Sequence, residues 1–176
     1  MSEQRQVAPL PANDRETGTT RDDKLELRLW LRLLTCSNLI EGKVRGALRT
    51  RFDTTLPRFD LLAQLDRSPD GLTMSELSAR MMVSNGNITG LTDRLVEEGL
   101  VKRTPSARDR RSSQVSLTAA GKKAFDAMTP EHELWIDEMM AGLSRQDMQQ
   151  LLQLLGKLKQ SVHRNAADAD KGENGE

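Results

Sequence analysis

The 176-residue chain has no tyrosine, three phenylalanines, two tryptophans, two histidines and a single cysteine. Each shortage excludes something. Cys36 has no partner for an internal disulfide. His132 and His163 stand far apart in sequence, and Cys36 adds no metal-ligand cluster to them. The acidic run Glu131, Glu133, Asp137 and Glu138 lacks an accompanying Glu-x-x-His motif and reads as a solvated helix face, so no metal and no cofactor are expected. No apolar run approaches the roughly 18 residues that a membrane span needs. Met1 to Arg21 mixes charges with Pro9, Pro11 and Gly18, without the apolar centre of a secretory signal, so the chain is read as cytoplasmic with no membrane partner. A Gly-rich phosphate loop and a nucleophile elbow are both missing, which argues against an enzyme.

The charge that is present is sorted. Lysine and arginine balance aspartate and glutamate at 26 each, which argues against a uniformly basic coat for nucleic acid. Yet Lys102, Arg103, Arg108, Arg110 and Arg111 crowd one short segment against Asp109 alone, while Asp168, Asp170, Glu173 and Glu176 make the C-terminus acidic. The polar ends, residues 1–20 and 165–176, are too poor in bulky apolar residues to form a core and are expected to be a disordered arm and a disordered tail.

A leucine-rich, aromatic-poor, charge-rich composition suits packed helices. Leu25 to Leu33 alternates like a strand, but it has no β-branched residue, and helix-compatible residues continue to Arg51 without proline. Propensity and length predict one long helix. Leu25, Leu29, Leu33, Cys36 and Ile40 form one stripe on it, with Leu27, Leu31 and Leu34 beside or opposite, so it needs cover from more than one side. A partner chain is one source of that cover.

The next helix is expected over Leu56 to Asp66, with Thr55 as N-cap and Pro57 in the first turn. Ser68-Pro69-Asp70-Gly71 reads as a turn. Thr73-Met74-Ser75-Glu76 fits a capping box that opens a helix to about Met81. Ser84 is placed to cap a helix to about Glu98, with Ile88, Leu91 and Leu95 inward and Gly99 as the stop. Two short helices separated by about three residues form a helix-turn-helix pattern, a spacing that ordinary helical hairpins also use. Leu100 to Arg103 and Ser113 to Leu117 flank a basic loop as a two-stranded hairpin. Thr118 caps a helix to about Met140, and Ser144 caps a last one ending near His163, whose Met148, Leu151, Leu152, Leu154, Leu155 and Leu158 again call for a second chain.

From Thr55 to Gly121 the sequence resembles the MarR family of dimeric bacterial regulators. The carrying residues are Leu56-Pro57-Arg58-Phe59-Asp60-Leu61-Leu62, Leu72-Thr73-Met74-Ser75-Glu76-Leu77, Gly86 to Leu95, Gly99-Leu100-Val101, and Asp109-Arg110-Arg111 followed by Val115-Ser116-Leu117-Thr118 and Gly121. The resemblance implies a mainly α fold: a winged helix-turn-helix with a small β-hairpin wing over about 55–118, within a domain of 21–164. Its dimerisation region would be built from helices over about 22–51 and 119–163. The implied activity is sequence-specific binding of double-stranded DNA at a near-palindromic operator by a homodimer. The family pattern often has Asp-Pro where this chain has Ser106-Ala107, so a differently shaped wing tip is expected.

On that reading, Ser84 to Glu98 is the recognition helix. Ser84, Asn85, Asn87 and Thr89 are short and polar near the end that meets base edges, and Gly86 and Gly90 would let the backbone approach DNA closely. A capping and turn segment is the plainer account of Ser84-Asn85-Gly86. In family terms Asp109 braces one wing arginine while another enters the minor groove, with Arg111 the first choice and Arg110 the second. Arg108 belongs to the same basic tip, and Arg94, Lys102, Arg103 and Arg80 are expected on phosphates. Family members commonly respond to small aromatic or anionic molecules, so a repressor relieved by such an effector is implied, with Trp30, Cys36, Asn38, Arg58 and Phe59 as the candidate ligand-binding residues. The plainer account puts Trp30 and Phe59 in the core and leaves Arg58 solvated. Some relatives sense peroxide through a first-helix cysteine, but Cys36 on an apolar stripe, with no tyrosine in the chain, reads more simply as a small packed hydrophobe. The alternative from another class is a helical dimeric protein-interaction module that binds no DNA.

Overall fold

The computed structural model describes residues 24–105 and 113–173, with residues 165–173 as helix backbone alone. Its elements are α1 (Leu25–Phe52), α2 (Leu56–Asp66), β1 (Leu72–Thr73), α3 (Met74–Met81), α4 (Asn85–Glu97), β2 (Val101–Pro105), β3 (Ser113–Leu117), α5 (Ala119–Met140) and α6 (Arg145–Glu173). The mainly α winged helix-turn-helix class expected from the sequence is the one observed. Two compact units divide the described chain, one reaching to Ile136 and the other running from Asp137.

The local signals act where the sequence places them. Thr73 Oγ1 accepts from the Glu76 amide at 3.2 Å while Glu76 Oε2 accepts from the Thr73 amide at 2.7 Å, closing both halves of the capping box. Ser84 Oγ accepts from the Asn87 amide and caps α4. Gly99, at φ +71°, ends α4 in the left-handed region. At α6, Ser144 and Asp147 cap one another reciprocally, and the hydrogen bonds from Ser144 hold the Asp147 carboxyl below its usual range.

The sheet holds a strand that the hairpin reading lacked. β3 lies in the centre, antiparallel to β2 on one side and to β1 on the other, with Leu72 opposite Val115 and Thr73 opposite Gln114. Gly71 allows the approach: its φ is +84°, and a Cβ there would stand 2.7 Å from the Val115 carbonyl oxygen. Two residues are too few for period-2 patterning to reveal such a strand.

The core of the first unit gathers Leu48 of α1, Phe59, Leu61, Leu62 and Leu65 of α2, Leu72, Leu77, Ile88, Leu95, Val101, Val115, Phe125 and Met128. α1 buries only Val44 and Leu48, one helical turn apart. Of the apolar stripe from Leu25 to Ile40, Leu25, Leu29 and Cys36 are exposed in the single chain, and Leu33 and Ile40 are half-buried.

In the second unit, α6 continues beyond His163 to Glu173, through part of the segment read as a disordered tail. Polar residues without proline are compatible with helix, so low hydrophobicity alone did not mark an end. Leu151, Leu152, Leu154, Leu155, Leu158 and Val162 of α6 are exposed in the single chain.

Candidate nucleic-acid interface

α3 and α4 are joined by a locked turn. Met82 takes φ +54°, the Val83 amide donates to the Ser78 carbonyl at 3.2 Å, and Ser78 Oγ donates to the Val83 carbonyl at 2.6 Å. That closure fixes the backbone two residues before the Ser84 cap.

α4 then presents two unlike faces. Ile88, Thr92 and Leu95 are buried, and the Thr92 hydroxyl is satisfied by the Ile88 carbonyl at 2.8 Å. Ser84, Asn85, Gly86, Asn87, Thr89, Gly90 and Arg94 are all exposed, so the structure brings together the described residues proposed for α4 on one solvent face. Thr89 Oγ1 donates to the Asn85 carbonyl at 2.8 Å. Gly86 and Gly90 lie one turn apart with nothing within 4 Å of an added Cβ, and neither has a positive φ. Each costs the helix roughly 0.5–1 kcal/mol relative to alanine. Among the described residues nothing requires glycine at either position.

The basic residues divide. Arg94 and Lys102 are exposed. Arg80 donates to Ser68 Oγ at 2.9 Å, spanning α3 and the turn after α2. Arg103, expected on a phosphate, pairs with Asp93 of α4 at 2.8 Å and thereby ties β2 to α4. Arg108, Asp109, Arg110 and Arg111 lie outside the described residues.

The residues expected to hold an effector separate as well. Trp30, Cys36 and Asn38 are exposed on α1. The plainer packing readings do not hold within the single chain: Trp30 is 57% exposed and Cys36 is exposed. Phe59 is core, with its ring stacked on His132 at 4.6 Å and tilted against Phe125 at 5.4 Å. Burial lowers the His132 pKa, against the opposing pull of Asp60, whose own pKa burial raises.

Arg58 is neither solvated nor free. Its Nη1 donates to Glu98 Oε1 at 2.7 Å, Nη2 reaches Glu98 Oε2, and Nε donates to Thr54 Oγ1 at 3.3 Å. The hydrogen bonds with Glu98 are the main cause raising the Arg58 pKa and lowering that of Glu98. Both charges stand at helix ends that disfavour them: Arg58 lies in the first turn of α2, and Glu98 is the C-cap of α4. Such placements cost roughly 0.3–1 kcal/mol each at exposed sites.

Sequence reading missed Asp93 and Glu98. Neither has a periodic relation to its arginine, and only the packing of β2 and α2 beside α4 pairs them. A cavity of about 340 Å³ lined by Leu65, Asp66, Pro69, Leu117, Thr118, Ala119 and Lys122 lies apart from the residues proposed for the effector. Among the described residues no group of three or more His, Cys, Asp or Glu is placed to hold a metal ion, and no helix is long and apolar enough to cross a membrane.

Comparison with known proteins agrees with this architecture. A sequence model of the MarR family matches residues 52–112. The transcriptional activatory protein BadR of Rhodopseudomonas palustris is 30% identical over 153 residues, covering 84% of this chain and 87% of that protein. The crystal structure of a MarR family transcriptional regulator from Silicibacter pomeroyi is 34% identical, with a TM-score of 0.66 over 78% of this chain and 94% of that one. CouR from Rhodococcus jostii RHA1, solved bound to p-coumaroyl-CoA, shares the fold at 22% identity and a TM-score of 0.66, covering 74% and 90% of the two chains. The family, BadR and the Silicibacter pomeroyi protein are regulators of transcription and not enzymes. With its two-faced α4, its capped helix-turn-helix and its flanking sheet, the chain belongs to the MarR family of DNA-binding transcriptional regulators.

Proposed function

We propose that the chain acts in the cytoplasm as a homodimeric repressor that leaves its operator when a small aromatic or anionic molecule binds. The observation that carries the DNA-contact assignment is the outer face of α4: Asn85, Asn87 and Thr89 are exposed beside two glycines that no contact among the described residues demands. In this reading Ser84, Asn85, Gly86, Asn87, Thr89 and Gly90 meet base edges in the major groove, where Asn pairs bidentately with adenine. Arg94 and Lys102 meet phosphates, and Arg111 or Arg110 enters the flanking minor groove. The exposed apolar faces of α1 and α6 support a second copy, which would place two recognition helices about one turn of DNA apart on a near-palindromic site.

CouR, bound to an aromatic thioester, supports an effector of that class, with Trp30, Cys36 and Asn38 as its contacts on α1. Arg58 would join them only by giving up Glu98, and Phe59 would contribute as the wall behind. BadR is named as an activator, so the sign of regulation has to be read directly. Transcription in vitro from the chain's own upstream region, with and without aromatic acids and their thioesters, tests both parts. Repression that these compounds lift is the expected result, while activation by the protein, or indifference to every compound, would overturn the corresponding part. Binding should also weaken steeply with salt as counterions are released. Exposure of Cys36 favours one second reading, a thiol-based switch. Release of DNA by the wild type on peroxide treatment, lost in Cys36→Ser, is the result expected of this second reading, and a wild type indifferent to peroxide would overturn it.

A further inference from the structure

We propose that Glu98 is a positioning residue for operator binding: held by Arg58, it fixes the axis of the recognition helix against the end of α1. The contact is forked and has a third anchor, because the same guanidinium also donates to Thr54 Oγ1, immediately after α1 and its left-handed Asp53 cap. Three elements thus meet in one side chain. Thr54 closes α1, Arg58 opens α2, and Glu98 closes α4, at the end opposite its Ser84 cap.

The placement is not explained by helix stability. A cation in the first turn of α2 and a carboxylate at the C-terminus of α4 each oppose the local backbone dipole, so either helix alone would favour the opposite charge. What the pair supplies instead is orientation. A bidentate guanidinium–carboxylate contact restricts both distance and plane, and it acts on the far end of the helix whose near end carries Asn85 and Asn87. With the Asp93–Arg103 bond to β2, the recognition helix is braced from two sides by acids of its own C-terminal half. The inference concerns DNA binding and is independent of the effector reading.

The test uses the full-length protein and a duplex selected by the wild type from a random library. Charge alone predicts that Glu98→Gln, which removes a negative group from a DNA-binding protein, binds as tightly or more tightly. Positioning predicts the reverse: affinity for the selected duplex falls about five- to tenfold. The slope of affinity against salt stays at the wild-type value, because no phosphate contact is lost. Thermal unfolding stays close to wild type, since removing the carboxylate also relieves the dipole at the end of α4.

The exchanged variant Arg58→Glu/Glu98→Arg rebuilds the pair with both charges at favourable helix ends. It should unfold no earlier than wild type and regain affinity to within about threefold of it. The proposal is overturned if Glu98→Gln binds the selected duplex as well as wild type does. It is equally overturned if the loss comes with a shallower salt slope, or if the folded exchange variant binds no better than Glu98→Gln.

Discussion

Gly121 of α5 lies so close to Leu100 that a Cβ on it would stand 1.9 Å from the Leu100 carbonyl oxygen. That oxygen also accepts from the Thr118 amide at 3.1 Å, while the Thr118 hydroxyl donates to the Gly99 carbonyl at 2.6 Å and caps α5 by accepting from the Gly121 amide at 3.0 Å. One residue-wide contact thus joins the end of the recognition helix, the root of β2 and the start of α5. Gly121→Ala should cost about 2 kcal/mol or more, since the clash is with backbone and no side chain can turn aside. Thermal unfolding of the purified variant checks this, and an unchanged melting temperature would contradict the contact.

Gly86 and Gly90 predict the opposite pattern. Their surroundings are open and their backbone is ordinary helix, so Gly86→Ala and Gly90→Ala should each stabilise the fold by about 0.5–1 kcal/mol. If the helix backbone approaches DNA at these positions, the same variants should weaken operator binding. Chemical denaturation and a binding titration, run on one preparation, read the two signs together.

Arg103 and Asp93 separate a brace from a phosphate contact. Arg103→Lys keeps the charge and loses the planar donor geometry. It should lower specific affinity with little change in salt slope, and Asp93→Asn should do the same. A phosphate contact at Arg103 would instead leave the lysine variant close to wild type, and Arg103→Ala would reduce the slope by about one unit.

Acid should destabilise the fold through His132. Because burial beside Phe59 holds its folded pKa below the ordinary 6.5, the unfolded chain takes up the proton first. Stability is then full above about pH 6.5 and falls as the pH drops below it, until the folded state protonates too. His132→Gln should flatten that slope in denaturation measured from about pH 7.5 down to about 5. Asp60 has the opposite sign: its raised pKa means that ionisation costs the folded state, so Asp60→Asn should stabilise the protein at neutral pH.

The residues that end and begin helices were readable in the sequence because they act within one turn. Thr73, Ser84, Gly99, Thr118 and Ser144 need only their immediate neighbours, and each stands at the boundary expected of it, whereas Thr55 stands at the start of α2 without a side-chain cap bond. The polar face of α4 was readable for the same reason. What could not be read is non-local. The partners of Arg58 and Arg103 depend on how α2 and β2 lie against α4, and Phe59 is core because α5 returns His132 and Phe125 to it. The two-residue β1 is defined only by pairing with a strand more than forty positions later.

That pairing has a mechanical consequence. β3 shares hydrogen bonds with β2 of the wing and with β1, and the residue that ends β1, Thr73, is the one whose side chain starts α3. The root of the hairpin is therefore no free hinge: rotating it means unzipping β1 and loosening the first turn of α3. Amide protons of Val115, Gln114 and Glu76 should accordingly exchange with solvent as one cooperative unit, at a single opening free energy.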